Sequence, residues 1–275
     1  MGTWDAKHRQ EHGGASAPSD SAASFRNLCR SSPWKWQSLR FEYRETPEGR
    51  TVPVRAWLRR PGALRLETTD GTLIQSTTGI NDSRDSLYIS ASRKSWLLPA
   101  HLVTPVYDDG GLVRRRPEAA YGEPSFGNSR FGAALDPVEL AGNAPVPLEF
   151  PRANAVELLE PVRDVDHEGR PARETVVSPN PGYRPLDPEN PLCGPGRTRI
   201  RIDVGTGICV AAEPLDDGTG GSDGPGGSGG TELPGHWIRI LGVDEYMLDD
   251  LFVAEPVNLT DVRDHIQWPL RPNPA

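Results

Sequence analysis

Few side chains in this sequence stand where chemistry needs them. His101 with Asp108-Asp109 brings an imidazole and two carboxylates into one short stretch. That is enough to start a metal site or an acid–base pair, but no further ligand follows at a fixed spacing, and an exposed acidic turn explains both aspartates. His167 and Glu168 precede Gly169, where a hairpin turn would hold polar residues in any case. Gly205-Thr206-Gly207 lacks the strand–loop–helix surroundings of a phosphate cradle and reads as a turn. No G-x-S-x-G occurs, and no serine has the context of a nucleophile elbow. Cys29, Cys193 and Cys209 are odd in number and without CxxC or HxxxH spacing, so free buried thiols are expected, although Cys193 and Cys209 flank a predicted strand and could come close. The expectation is therefore no catalytic residue, no metal and no cofactor.

One side chain remains to be singled out. Trp57 stands between Arg55 and Arg59, with Arg40, Arg44 and Arg65 on the strands predicted beside it. An indole among guanidinium groups can make cation–π contacts of about 0.5–1 kcal/mol at an exposed site, or anchor a partner. A loop or the N-terminal helix lying over Trp57 would make it structural instead.

Those residues are positioned by a predicted four-strand meander over Trp34–Thr77. Leu39, Phe41 and Tyr43 alternate with Arg40, Glu42 and Arg44, the period of a half-buried strand. After Pro47-Glu48-Gly49, Val54, Ala56 and Leu58 face one way and Arg55, Trp57 and Arg59 the other. Pro61-Gly62 turns the chain into Leu64 and Leu66, and Asp70-Gly71 turns it again into Leu73 and Ile74. Trp34 and Trp36 fall out of phase with Leu39, which predicts a bulge near Gln37 or Ser38. One face of the meander is thus apolar and the other rich in Arg and Glu.

The rest of the chain continues in the same style. Residues 1–22 lack periodicity and are expected to be disordered. Phe25, Leu28 and Cys29 at i, i+3, i+4 predict two helical turns over Ser24–Ser31. Strands are expected at Ser86–Ser92, His101–Val106, Ala155–Asp166, Pro171–Val177, Thr198–Val204, Ile208–Ala212 and His236–Val243, and a short helix or turn at Asp244–Phe252. Residues 107–154 form an irregular Gly/Pro/Arg-rich excursion of the kind that serves as a lid or binding loop. Within it, Asp136-Pro137-Val138-Glu139 reads as a helix start, with Asp136 as cap and Glu139 closing a capping box. Residues 214–235 are Gly-rich and predicted flexible, and 257–275 form a polar, Pro-rich tail. The fold class expected is mainly β: a strongly curved antiparallel sheet of about ten strands, a half-barrel, with a few short helices, in one domain spanning 23–256.

Composition limits the function. Hydrophobic residues make up 36% of the 275, with 29 Gly and 28 Pro, which fits one domain plus irregular stretches. The net charge of −8 argues against a dedicated nucleic-acid binder. It is uneven: Pro33–Arg116 carries 14 basic and 9 acidic residues, against 12 and 26 beyond it, a gradient that could steer an anionic partner. No run long enough to span a membrane is present. With no apolar signal region in Met1–Asp20 and no small-residue context at Cys29, a cytoplasmic location is expected.

The order of elements resembles the half-barrel superfamily of lipoprotein carriers, which holds the periplasmic lipoprotein chaperone, a sigma-factor regulator's sensor domain and mycobacterial lipid-carrier lipoproteins. The similarity lies in Val54-Arg55-Ala56-Trp57-Leu58-Arg59-Arg60-Pro61-Gly62-Ala63-Leu64-Arg65-Leu66-Glu67, in Val165–Arg170 followed by Ile200–Gly207, and in Val243–Phe252 followed by Pro256. The resemblance implies a curved sheet enclosing an apolar cavity for acyl chains.

Three functions follow. The first is a non-enzymatic binding module holding a lipid or other hydrophobic ligand, or a loop of its own, on Leu39, Phe41, Tyr43, Val54, Leu58, Leu64 and Leu66. The second is a cytosolic interaction partner docking another protein through Trp57, Arg55 and Arg59 and through the 107–154 excursion. A hydrolase with unrecognised machinery is the third.

Overall fold

The computed structural model describes residues 18–46, 53–78, 100–118, 129–215 and 235–254. The fold is mainly β, as the alternation requires. The meander is β1 (Ser38–Thr46), β2 (Val54–Arg59), β3 (Ala63–Thr68) and β4 (Leu73–Thr77). A two-stranded sheet, β5 (Val106–Tyr107) and β6 (Val113–Arg115), follows. Then come β7 (Val156–Leu158), β8 (Arg163–His167), β9 (Arg170–Pro179), β10 (Arg197–Asp203), β11 (Cys209–Leu215) and β12 (Gly235–Val243). All but β5 and β6 form one antiparallel sheet in the order β4-β3-β2-β1-β12-β11-β10-β9, with β7 and β8 both on the outer edge of β9. The last strand therefore joins two meanders through the middle.

Among the described residues that sheet is neither closed nor strongly curled, so the expected half-barrel curl is not seen, while the antiparallel sheet of about ten strands is. Its apolar face is instead covered by helix α1 (Pro18–Ser31), by the short helix α2 (Ser129–Leu135) and by the turns after it. Phe25, Leu28 and Cys29 are buried in one core with Leu39, Phe41, Leu58, Ile200, Ile202 and Ile238. Phe131 of α2 packs its ring 5.2 Å from that of Phe41 and 5.4 Å from that of Tyr43. Burying aliphatic and aromatic side chains at about 25 cal/mol per Å² makes this layer the main source of stability.

Several expectations move. Helix α1 starts at Pro18, ahead of Ser24 and inside the stretch read as disordered. Trp34 lies in a 3-10 turn, Ser32–Trp34, and not in a strand; the register irregularity of β1 against β12 falls between Arg40 and Phe41, away from Gln37. His101–Val106 is no strand: Ala100–Leu102 is a 3-10 turn, and pairing begins only at Val106. The long strand read over Ala155–Asp166 is two strands, separated at Leu159–Val162 around Pro161. The strand expected at Ser86–Ser92 and the turn at Pro47-Glu48-Gly49 lie outside the described residues.

The turns behave as their residues dictate. Glu168 (φ 54°) and Gly169 (φ 78°) close the β8–β9 hairpin with His167 opposite Arg170, the two left-handed residues that a two-residue hairpin turn needs. Gly207, at φ 73°, brings the β10–β11 turn so near α1 that a Cβ would lie 3.0 Å from the Leu28 carbonyl oxygen and the Ser32 nitrogen. Only glycine fits there.

Candidate functional site

A wide cleft lies beside α1, between that helix, the β5–β6 hairpin and the 145–154 segment. It encloses about 800 Å³ and is lined by Ala23, Arg26, Asn27, Asp108, Arg114 and Leu148 among others. A second lobe of about 500 Å³ shares Arg114, Pro145, Val146 and Leu148 with it and adds Val106 and Arg115.

A buried polar frame fixes its walls. Arg30 is 1% exposed; its guanidinium donates to the Gly142 and Ala141 carbonyls and to Asn27 Oδ1, each at 2.7 Å. Arg116 Nε donates to the Arg30 carbonyl at 3.0 Å, and its two terminal nitrogens grip the Asp136 carboxylate in a buried ion pair. The Ser31 hydroxyl accepts from Val113 N at 2.8 Å, and the Ser32 hydroxyl donates to the Leu135 carbonyl at 2.5 Å. Asp108 organises the hairpin, accepting from Gly110 N, Leu112 N and Asn27 Nδ2 at 2.7–2.9 Å. Asp108 is therefore a turn builder, and Asp109 stands exposed beside it. Among the described residues no group of His, Cys, Asp and Glu gathers to hold a metal.

Apolar side chains protrude from this frame beside the exposed Arg114 and Arg115. Leu148 is 95% exposed and Phe150 63%, and Leu102, Val106 and Tyr107 are also exposed. Large apolar side chains left together in water beside a cleft are the usual mark of an interaction surface. The turn holding Leu148 and Phe150 is ordered by backbone bonds from Phe150 N to the Pro147 carbonyl (3.0 Å) and from Ala153 N to the Phe150 carbonyl (3.0 Å).

Glu139 does not close a capping box. Pro137–Leu140 is a 3-10 turn, Asp136 makes no side-chain cap because Arg116 holds it, and Glu139 is buried. Its carboxylate accepts from the Tyr183 hydroxyl (2.5 Å), Leu186 N (2.8 Å) and Leu192 N (2.8 Å). Burial pushes its pKa up, while those donors pull the other way. The Pro-rich loop after β9 is thereby folded onto the excursion.

The apolar residues proposed to hold a ligand are brought together, but among the chain's own side chains. Leu39, Phe41, Tyr43, Leu58 and Leu64 are buried core, and Val54 and Leu66 pack against it half-buried. On the opposite face Trp57 is half-buried against Ala63, Leu251, Met247 and Phe252, so the segment after β12 covers it. Arg59 donates to the Met247 carbonyl at 2.6 Å and pairs with Asp249, its guanidinium lying 5.1 Å from the Phe252 ring centre. Arg55 pairs with Glu42 at 3.3 Å.

The same face carries a shallower cleft of about 310 Å³ over Trp237, bordered by Arg44, Glu42, Glu168 and Arg239. Arg44 and Arg201 each lie 5.4 Å from the Trp237 ring centre, whose Nε1 donates to Glu168 at 3.1 Å. Sequence reading picked Trp57, flanked on its own face by Arg55 and Arg59, and passed over Trp237, whose same-face neighbours in the strand are Gly235 and Arg239.

Two histidines are structural. Beyond Trp237 strand β12 leaves β11, and His167, buried, places Nε2 2.8 Å from the Ile238 carbonyl. His236 is 1% exposed, with Nε2 2.8 Å from the Cys209 carbonyl and its ring stacked 6.0 Å from Tyr43. A carbonyl accepts, so both rings carry the proton on Nε2, and both Nδ1 atoms are buried without a partner. Burial lowers both pKa values, with His236 taken to about 3 and nearby Arg130 adding to its shift. Burial also raises all three thiols: Cys29 to about 12, Cys193 to about 11 and Cys209 well above its ordinary value, so they are inert at neutral pH.

The described residues form an antiparallel sheet with one helix-covered face and, beside α1, a cleft lined by both charged and apolar side chains. No protein family, curated protein or solved structure matches the chain.

Proposed function

We propose that the protein is a non-enzymatic binding module that docks another protein through the cleft beside α1 and the 145–150 turn. The observation that carries this reading is the exposure of Leu148, which lines both lobes of that cleft, on an ordered turn that also exposes Phe150. It favours the excursion over the Trp57 face, where Arg40, Arg55, Arg59 and Arg65 are engaged with Glu245, Glu42, Asp249 and Glu67. An acyl-chain carrier, the function implied by the lipoprotein-carrier resemblance, would need α1 and α2 to leave the sheet and expose a core they now fill.

Photocrosslinking from a benzophenone amino acid tests the proposal. Placed at position 148 in cells, it should capture a discrete partner that the same group at position 199, on the opposite face, does not. Leu148→Asp with Phe150→Asp should abolish copurification of that partner and leave the melting temperature unchanged. Identical background capture from both positions would refute the docking role.

A further inference from the structure

The cleft has a sign. Four arginines line its two lobes (Arg26, Arg30, Arg114 and Arg115) against two aspartates, Asp108 and Asp109, on a chain of net charge −8. Asp108 accepts only from neutral groups, Asn27 and two backbone amides, so its charge also stands and the arginines outnumber the aspartates by four to two. The partners of Arg30 are neutral carbonyls and an amide, so its charge is not cancelled. Arg26 donates to the Val156 carbonyl, also neutral, and its Nε has no partner. Arg114 and Arg115 are exposed on β6, with no ion pair to either among the described residues. On the same segment, outside the lining, Glu149 and Arg152 are both exposed.

Between the cations lie Pro145, Val146, Pro147 and Leu148. An occupant that suits both must carry negative charge and apolar groups together. A nucleic acid would satisfy the arginines and leave Leu148 and Val146 against sugar and phosphate. A small anion would leave them in water. Granting the docking role above, we infer that the occupant is a segment of a partner protein in which Asp or Glu side chains alternate with apolar ones. The guanidinium groups speed encounter and fix register, and the apolar contacts slow departure.

Fluorescence anisotropy on the full chain tests the inference with labelled dodecapeptides: Leu alternating with Glu, Leu alternating with Lys, and all Glu, beside an oligonucleotide of equal length. The Leu–Glu peptide should bind best, and weaken as salt rises. Arg114→Glu with Arg115→Glu, and separately Leu148→Ser, should each lower its affinity about tenfold. Thermal melts of both variants should match the parent, because these side chains are exposed. Equal binding of the Leu–Lys peptide, or an affinity indifferent to charge reversal, would overturn the inference. Oligonucleotide binding untouched by Leu148→Ser would overturn it in favour of a nucleic acid. If crosslinking from position 148 captures a partner and no acidic peptide binds, docking stands and the acidic, amphipathic occupant falls; if neither occurs, both fall.

Discussion

His236 should make this protein acid-sensitive in a way one substitution can isolate. Its ring sits in the core between Tyr43 and the Cys209 carbonyl, with Arg130 near enough to oppose any added positive charge. Burial, the larger cause, and Arg130 together hold the folded-state pKa at about 3, against roughly 6.5 in an unfolded chain. As pH falls below the unfolded value, the unfolded chain takes up the proton and the folded one does not. Stability is therefore intact above about pH 6.5 and is lost progressively down toward about pH 3. From pH 7 to pH 5 this one group removes about 2 kcal/mol. With an m-value of about 2.5 kcal/mol per molar urea, the unfolding midpoint should fall by about 0.8 M. His167, whose pKa burial also lowers, adds to the loss in the same direction. His236→Gln keeps an N–H for the Cys209 carbonyl and removes the titration. Urea unfolding of both proteins across this range should show a shallower pH slope for the variant, whatever its absolute stability. Equal slopes would refute the assignment of a buried neutral imidazole at this position.

Glu139→Gln leaves one oxygen and an amide nitrogen facing three donors, from Tyr183, Leu186 and Leu192. Calorimetry should show a loss of about 2–3 kcal/mol, and a melting temperature within a degree of the parent would show that the carboxylate does not anchor the 180–192 loop. Trp57→Ala removes packing against Met247, Ala63 and Phe252 and should cost about 1–3 kcal/mol in urea unfolding. Unchanged stability would return Trp57 to the role of an exposed anchor for a partner.

The strands were legible where one face is wet and the other buried. Leu39, Phe41 and Tyr43 in β1, and Ile200 and Ile202 in β10, alternate with charged residues, and the structure buries them. The place of β12 was not legible. His236–Val243 reads as a strand from its β-formers, yet nothing local says that it lies between β1 and β11, because strand partnership depends on contacts far apart in sequence. The same limit explains Asp136 and Glu139. Their spacing does match a capping box, but Arg116 binds the first and donors from 183–192 bind the second, which outweighs a local cap worth about 1 kcal/mol. Arg30, Arg116 and Arg130 are buried, and an arginine's identity alone gives no sign that its partners will be inside the protein.

The buried arginines also decide what the 107–154 excursion can be. A lid must open, and opening this one would strip Arg30 from two carbonyls and expose or orphan the Arg116–Asp136 pair. Breaking one partner of a buried ion pair costs about 3–5 kcal/mol, so the inner part of the excursion is foundation for the core. Among the described residues, its outer turn, Pro145 to Phe150, has no such tie, and that turn carries the most exposed leucine. A surface held in place before a partner arrives spends little binding energy on ordering itself. That combination, a pinned base beneath an exposed apolar turn, is why docking fits this region better than gating.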